Sequence, residues 1–61
     1  MTGFSGRRIA VFGLGTSGFS AARALIDLGA SVVVTDDASD PAKEERAATL
    51  RAMGAEVETG G

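Results

Sequence analysis

The sequence contains no cysteine and no histidine among its 61 residues. Without cysteine there is no disulfide and no thiolate metal site, and without histidine the commonest general base and metal ligand is missing. No pair of acidic residues has a spacing that suits general acid–base chemistry. We therefore expect no metal site and no catalytic residue in this segment. The lack of cysteine suits a reducing compartment, and we expect a cytoplasmic location.

Long apolar runs and an excess of positive charge are also missing. No run approaches the roughly 20 apolar residues that span a membrane. Six basic and eight acidic residues give a formal net charge of −2, which provides no electrostatic reason to expect nucleic acid. We therefore expect neither a membrane nor a nucleic acid as a partner. The length allows at most one small domain, which buries only about 60% of its unfolded surface.

Glycine, by contrast, is plentiful and concentrated in one loop. The loop reads Gly13-Leu14-Gly15-Thr16-Ser17-Gly18, after the apolar run 9–12 and before the Ala/Leu-rich stretch 19–28. A loop between a strand and a helix offers unpaired N–H groups and the positive end of the helix dipole to a phosphate. We predict that Gly13 permits the turn, Gly15 the close approach of a phosphate, and Gly18 close helix–strand packing.

An acidic residue follows this loop at a suitable distance. Asp36 lies 18 residues after Gly18, at the end of the second apolar run. Dinucleotide-binding folds place an acidic residue about 20 residues after the glycine loop, where it accepts hydrogen bonds from a ribose or a base. The alternative is a turn between strand and helix that binds no ligand. The order of turn, helix, strand and acid favours a nucleotide site over that alternative.

The periodicity of apolar residues predicts three strands and two helices. The strands are 8–12, 31–35 and 55–59, and the helices are 17–28 and 41–53, with Asp40 as the N-cap of the second. The order βαβαβ predicts an α/β fold with a parallel sheet. Right-handed crossovers give the strand order 3-2-1 and place both helices on one face. This is a partial Rossmann-like, doubly wound sheet, the N-terminal half of a nucleotide-binding domain.

The second face of the sheet has nothing in this sequence to cover it. Strands 8–12 and 31–35 are apolar on both faces, as in buried parallel sheets. We therefore predict that residues 1–61 form part of a larger domain. Self-association of the fragment would cover the same face. The charged run Lys43–Arg46 is expected to be the solvent-facing start of the second helix.

The stretch from Gly6 to Asp36 resembles the N-terminal end of the Mur ligases. The resemblance lies in the segment 6–12, the loop 13–20, the segment 21–25, the pair Gly29-Ala30 and the valine strand. Its most specific part is the Gly-Leu-Gly-x-Ser/Thr-Gly-x-Ser form close to the start methionine, with hydroxyls at Ser17 and Ser20. The similarity is looser from Asp37 onward.

The resemblance implies the start of a domain that binds the UDP end of a substrate. Within the family the resemblance is strongest to the ligase that joins D-glutamate to UDP-N-acetylmuramoyl-L-alanine in peptidoglycan synthesis, using ATP and magnesium. In that family the chemistry belongs to a central ATPase domain and a C-terminal domain, both absent from this chain. The only lysine, Lys43, follows no glycine loop. We therefore expect this chain to bind no cofactor and to be inactive by itself.

The resemblance also implies which residues meet the UDP group. The backbone of Leu14, Gly15, Thr16 and Ser17 would face the diphosphate, with a hydroxyl of Thr16 or Ser17 adding a hydrogen bond. Asp36 and Asp37 would meet the uracil or the ribose. Some members place a basic or hydroxyl residue just after the acid, where this chain has Asp37-Ala38. Side-chain contacts at Ala38 are therefore not expected.

Two other functions fit part of this pattern. The first is an NAD-dependent oxidoreductase, in which Asp36 would hold the adenosine ribose. The second is a non-enzymatic βαβ module that covers its open face by self-association. The fold does not separate UDP from NAD, because both place a diphosphate on the same helix end. The hydroxyl-rich loop and the family resemblance favour UDP.

Overall fold

A computed structural model describes residues 6–60, which form a three-stranded sheet and two helices. The elements in chain order are β1 Arg8–Phe12, α1 Thr16–Asp27, β2 Ser31–Asp36, α2 Pro41–Ala52 and β3 Glu56–Thr59. The predicted order βαβαβ is therefore confirmed. One boundary differs in a way that matters for the site. Asp36 belongs to β2, because it pairs with Thr59 of β3, and not to the loop that follows.

The sheet is parallel, in the order β1-β2-β3. This is the predicted order 3-2-1 counted from the opposite edge, with β2 in the centre. Residues from both helices, from β2 and β3 and from the loop after β1 form one core. Its buried members are Leu14, Ala22, Val32, Val34, Ala47, Leu50, Ala55 and Val57. Burial of these side chains on one side of the sheet fixes both helices there.

The opposite face of the sheet is open within residues 6–60. Successive side chains of a strand point to opposite faces, and this places Ala10 and Phe12 of β1 on the side away from the helices. Ala10 is exposed and the Phe12 ring is 83% exposed, although both belong to an apolar run. In β3, Glu56 and Glu58 are exposed while Val57 is buried, as predicted for an edge strand with one face in water.

The start of α2 follows from its sequence. Asp40 accepts a hydrogen bond from the N–H of Lys43 at 2.8 Å, and Pro41 occupies the first helical position. Both residues suit these positions, because Asp caps a free N–H and Pro has none to cap. In the part of the chain that the structure describes, neither helix is long and apolar enough to cross a membrane.

Candidate functional site

The glycine loop connects β1 to α1 and is folded tightly on itself. Gly13 has a φ of 103°, a left-handed conformation that favours glycine, and its N–H donates to the carbonyl of Thr35 at 2.7 Å. A Cβ on Gly18 would lie 2.1 Å from the carbonyl oxygen of Gly13. The first turn of α1 therefore packs against the loop so closely that only glycine fits at position 18.

The N-terminus of α1 is open to solvent. Its N-cap residue, Gly15, has no side chain to accept a hydrogen bond, and the first helical bond runs from Phe19 N–H to Gly15 carbonyl at 2.9 Å. Gly15, Thr16 and Ser17 are all exposed. A Cβ on Gly15 would meet no atom within 4 Å, so the fold itself does not require glycine there. Unpaired N–H groups at such a helix end attract an anion.

The helix α2 provides an internal comparison. Its first turn is capped by Asp40 and also carries Glu44, so negative charge from the chain itself lies at its positive end. The first turn of α1 has neither a side-chain cap nor an acidic residue. Of the two helices, α1 is therefore the one whose N-terminus suits a negatively charged ligand.

The carboxylate of Asp36 lies inside the chain's own hydrogen-bond network. Its Oδ2 accepts from the N–H of Leu14 at 2.7 Å and from Lys43 Nζ at 2.9 Å, and its Oδ1 accepts from the N–H of Ala38 at 2.9 Å. The side chain is only 7% exposed. A carboxylate has about four lone-pair sites, so about one remains for a ribose hydroxyl or a uracil N–H.

These contacts keep Asp36 ionised. The N–H groups of Leu14 and Ala38, followed by Lys43, lower the pKa of Asp36 from 3.8 to about 2. Because the folded-state pKa lies below the unfolded one, the contribution to stability is complete above the ordinary pKa. It is lost as the pH falls through the folded value. At neutral pH Asp36 is therefore ionised, and its charged carboxylate holds the loop.

Leu14 is fixed at three points. Its side chain is fully buried, its N–H donates to Asp36, and its carbonyl accepts from Nη1 of Arg46 at 2.9 Å. Its N–H is therefore already paired within the chain. Of the four backbone groups predicted to face a diphosphate, those of Gly15, Thr16 and Ser17 remain as donors.

The expectation that the run Lys43–Arg46 is a solvent-facing start of α2 is confirmed for Glu44 and Glu45, which are exposed, and wrong for Lys43 and Arg46. Lys43 and Arg46 are half-buried against the glycine loop and Asp36. The Glu44 carboxylate accepts from the hydroxyls of Ser39 at 2.5 Å and Thr59 at 2.6 Å, which lowers its pKa. The spacing of Lys43 and Arg46, one helical turn apart, is the signal that could have placed both side chains on one face.

A cleft of about 380 Å³ opens at the carboxyl ends of the strands. Its lining residues are Phe12, Gly13, Thr35, Asp36, Asp37 and Glu58. Open parallel sheets bind ligands at this edge. The structure thus brings Gly13, Asp36 and Asp37 together in one cleft. The other predicted substrate-binding residues lie outside its lining: Leu14, Gly15, Thr16 and Ser17. Glu58 was not predicted to be here, and its place follows from the pairing of β3 with Thr35.

Residues 6–60 lack the Gly-Lys loop that holds ATP phosphates in P-loop enzymes. Within that range no three acidic side chains gather in a group that could hold a metal ion. The only lysine of the sequence, Lys43, lies on α2 and is paired with Asp36 rather than following a glycine loop.

Several known proteins of similar sequence share one name. The UDP-N-acetylmuramoylalanine–D-glutamate ligase of Thermobifida fusca is 53% identical over 55 residues, which are 90% of this chain and 12% of that protein. The ligase of the same name from Frankia casuarinae is 50% identical over 58 residues, 95% of this chain and 12% of the relative. This chain belongs to the Mur ligase family.

Its sequence is consistent with an N-terminal fragment of a Mur ligase. A third relative, from Streptomyces avermitilis, carries the same name and is 45% identical over 60 residues, 98% of this chain and 13% of its own length. The chain therefore spans only about an eighth of the Mur ligases that it matches. No protein-family model matches it.

Proposed function

We propose that this segment binds the diphosphate of a UDP-linked sugar substrate at the N-terminus of α1. The observation that carries the proposal is the open helix end at Gly15. No side chain caps this end, and no atom lies within 4 Å of a Cβ added at position 15. An anion there would accept hydrogen bonds from the N–H groups of Gly15, Thr16 and Ser17 and would lie at the positive end of the helix dipole. The two hydroxyls can add charge-assisted hydrogen bonds.

The rest of the nucleotide would lie along the carboxyl edge of the sheet. The cleft next to the loop is lined by Asp36 and Asp37, and both can accept a hydrogen bond from a ribose hydroxyl or a uracil N–H. Asp36 has about one free lone-pair site for this contact, since three are engaged by the chain. Asp37 is therefore the more available of the two acids.

At the level of the whole protein, the proposal is an ATP-dependent ligase that adds D-glutamate to UDP-N-acetylmuramoyl-L-alanine. The names of the relatives support it. ATP and magnesium would be held by other domains of a longer polypeptide, as the resemblance to the Mur ligases implies. Residues 1–61 would then bind substrate in the cytoplasm without catalysing the reaction.

The substrate class is tested by thermal shift with two ligands. The longest form of the protein that carries this segment is melted with UDP-N-acetylmuramoyl-L-alanine and, in parallel, with NAD at the same concentration. A ligand at 100 times its dissociation constant adds about 2.7 kcal/mol to stability. We expect a rise in melting temperature with the UDP-sugar alone. A rise with NAD alone would overturn the proposal and favour an oxidoreductase.

We also propose that another part of the polypeptide covers the open face of the sheet. The face carries Ala10 and the 83% exposed ring of Phe12, and the chain spans about an eighth of its relatives' length. The isolated 61-residue chain is therefore expected to self-associate or to bind a hydrophobic dye. Sedimentation and dye fluorescence measure this, with Phe12→Ser expected to reduce both signals and Leu28→Ser to leave them nearly unchanged. A monomer without dye binding would contradict the proposal.

A further inference from the structure

Two basic side chains of α2 contact the glycine loop or the carboxylate that is bonded to it. Arg46 Nη1 donates to the carbonyl of Leu14 at 2.9 Å. Lys43 Nζ lies 2.9 Å from the Asp36 Oδ2 atom that accepts from Leu14 N–H at 2.7 Å. Both peptide groups that flank Leu14 are thus held from the same helix, one directly and the other through Asp36.

We propose that Lys43 and Arg46 are positioning residues, which fix Leu14 so that the N–H groups of residues 15–17 are aligned for a diphosphate before it arrives. The inference rests on the proposed function, since the alignment matters for binding only if the loop takes a diphosphate. It adds two residues outside the loop to the set on which binding depends. Neither of them needs to touch the ligand.

The physical reason is the cost of ordering a glycine-rich loop. Glycine loses more conformational freedom on ordering than any other residue. Leu14 lies between Gly13 and Gly15, so restraints on its two peptide groups limit both glycines. A loop that is ordered before binding loses less entropy when the ligand arrives, which raises affinity. The buried Leu14 side chain anchors the same residue in the core.

An alternative role for Lys43 is direct electrostatic attraction of the ligand. An ammonium near a helix N-terminus could attract a diphosphate directly. In this structure, however, the ammonium is paired with Asp36, and the Lys43 side chain is only 22% exposed. The pairing raises the pKa of Lys43, to which nearby Asp40 and Asp37 also contribute. The geometry therefore favours action through Asp36, and a double-mutant cycle separates the two accounts.

The experiment measures the UDP affinity of five variants by calorimetry, in the longest form of the protein that carries this segment. The variants are Lys43→Met, Asp36→Asn, the double variant of these two, Arg46→Met and Arg8→Gln. Three single variants should each weaken UDP binding roughly tenfold, the effect of losing one charged hydrogen bond: Lys43→Met, Asp36→Asn and Arg46→Met. The double variant should bind no more weakly than Asp36→Asn. The control Arg8→Gln should leave affinity unchanged.

The control is matched in charge. Arg8 also carries one positive charge, in an exposed pair with Glu56 at 3.6 Å, but it begins β1 at the end opposite the loop. An equal loss of affinity in Arg8→Gln would attribute the effect to net charge and overturn the inference. A double variant that binds much more weakly than Asp36→Asn would show that Lys43 acts directly on the ligand, which also overturns it.

A second measurement needs no ligand. In an acid titration followed by NMR, the amides of Leu14 and Ala38 should report the ionisation of Asp36 with a pKa of about 2. In Lys43→Met that pKa should rise part of the way toward the ordinary value of 3.8, because the N–H groups of Leu14 and Ala38 still lower it. Lys43→Arg should bring the pKa back down. A role of Lys43 in general stability alone would leave the pKa unchanged.

The two measurements distinguish the failure of each proposal. If the protein binds UDP but the amide signal of Leu14 does not change as Asp36 ionises, the positioning role is wrong and the diphosphate site stands. If Leu14 follows Asp36 but UDP does not bind, the proposed function is wrong, and the role in ligand binding fails with it. Unchanged UDP affinity in both Lys43→Met and Arg46→Met would overturn the positioning role alone.

Discussion

Replacing Gly18 by alanine is expected to destabilise the fold by about 3 kcal/mol, at the upper end of the range for overpacking. The added Cβ would lie 2.1 Å from the carbonyl oxygen of Gly13 and 3.0 Å from its carbonyl carbon. These are backbone atoms, which cannot rotate away as a side chain can. In an ordinary helix the same substitution would stabilise by about 1 kcal/mol, so the sign of the effect is itself diagnostic.

A thermal or urea melt of the 61-residue chain measures this effect. For a domain of this size, 3 kcal/mol corresponds to roughly 12–24 °C in melting temperature. The matched control is Gly15→Ala in the same loop. Position 15 has a φ of −68° and no atom within 4 Å of an added Cβ. The free energy of unfolding of Gly15→Ala should therefore fall by no more than about 1 kcal/mol, the cost of alanine at an N-cap. Equal stability of the two variants would show that α1 does not pack on Gly13 as described.

The second large effect concerns binding rather than folding. Gly15→Val is expected to weaken UDP binding about 100-fold or more while leaving the fold intact. The valine side chain would occupy the space at the end of α1 and keep the diphosphate away from at least two N–H donors. Each hydrogen bond to a charged group contributes about 1.5–3 kcal/mol, and about 2.7 kcal/mol corresponds to 100-fold in affinity.

Calorimetric titration with UDP, together with a melt of each variant, separates binding from stability. Ala48→Val is the control, because it adds similar bulk at an exposed position of α2 outside the loop and the cleft. It should bind UDP like the unaltered chain. Gly15→Val with full UDP affinity would show that the diphosphate does not approach this helix end.

The two substitutions show how differently glycines of one motif are used. Gly18 is required by the packing of the chain, and Gly15 is not required by any contact within the described residues. The sequence alone assigned a different reason to each glycine through the strand–loop–helix pattern. The distances in the structure give the physical reason for each: an added Cβ meets backbone atoms at position 18 and open space at position 15.

The sequence by itself determined the order of elements, the parallel sheet and the location of the glycine loop between β1 and α1. These follow from local features, namely apolar periodicity, the Asp40-Pro41 start of α2 and right-handed crossovers. The open second face also followed, because Phe12 belongs to an apolar run that no helix in this sequence can cover. Such features depend on neighbours in the chain, so one sequence is enough to predict them.

Only the tertiary structure decided what the charged residues do. Lys43 and Arg46 appear in the sequence as a polar helix start, and Asp36 as a free ligand contact. In the folded chain Asp36 and Arg46 bond to Leu14, from 22 and 32 residues away in the sequence, and Lys43 pairs with Asp36. Long, flexible side chains reach partners that local patterns do not encode. The contacts that hold the loop therefore arise from the packing of α2 against β3 and α1, not from the loop's own sequence.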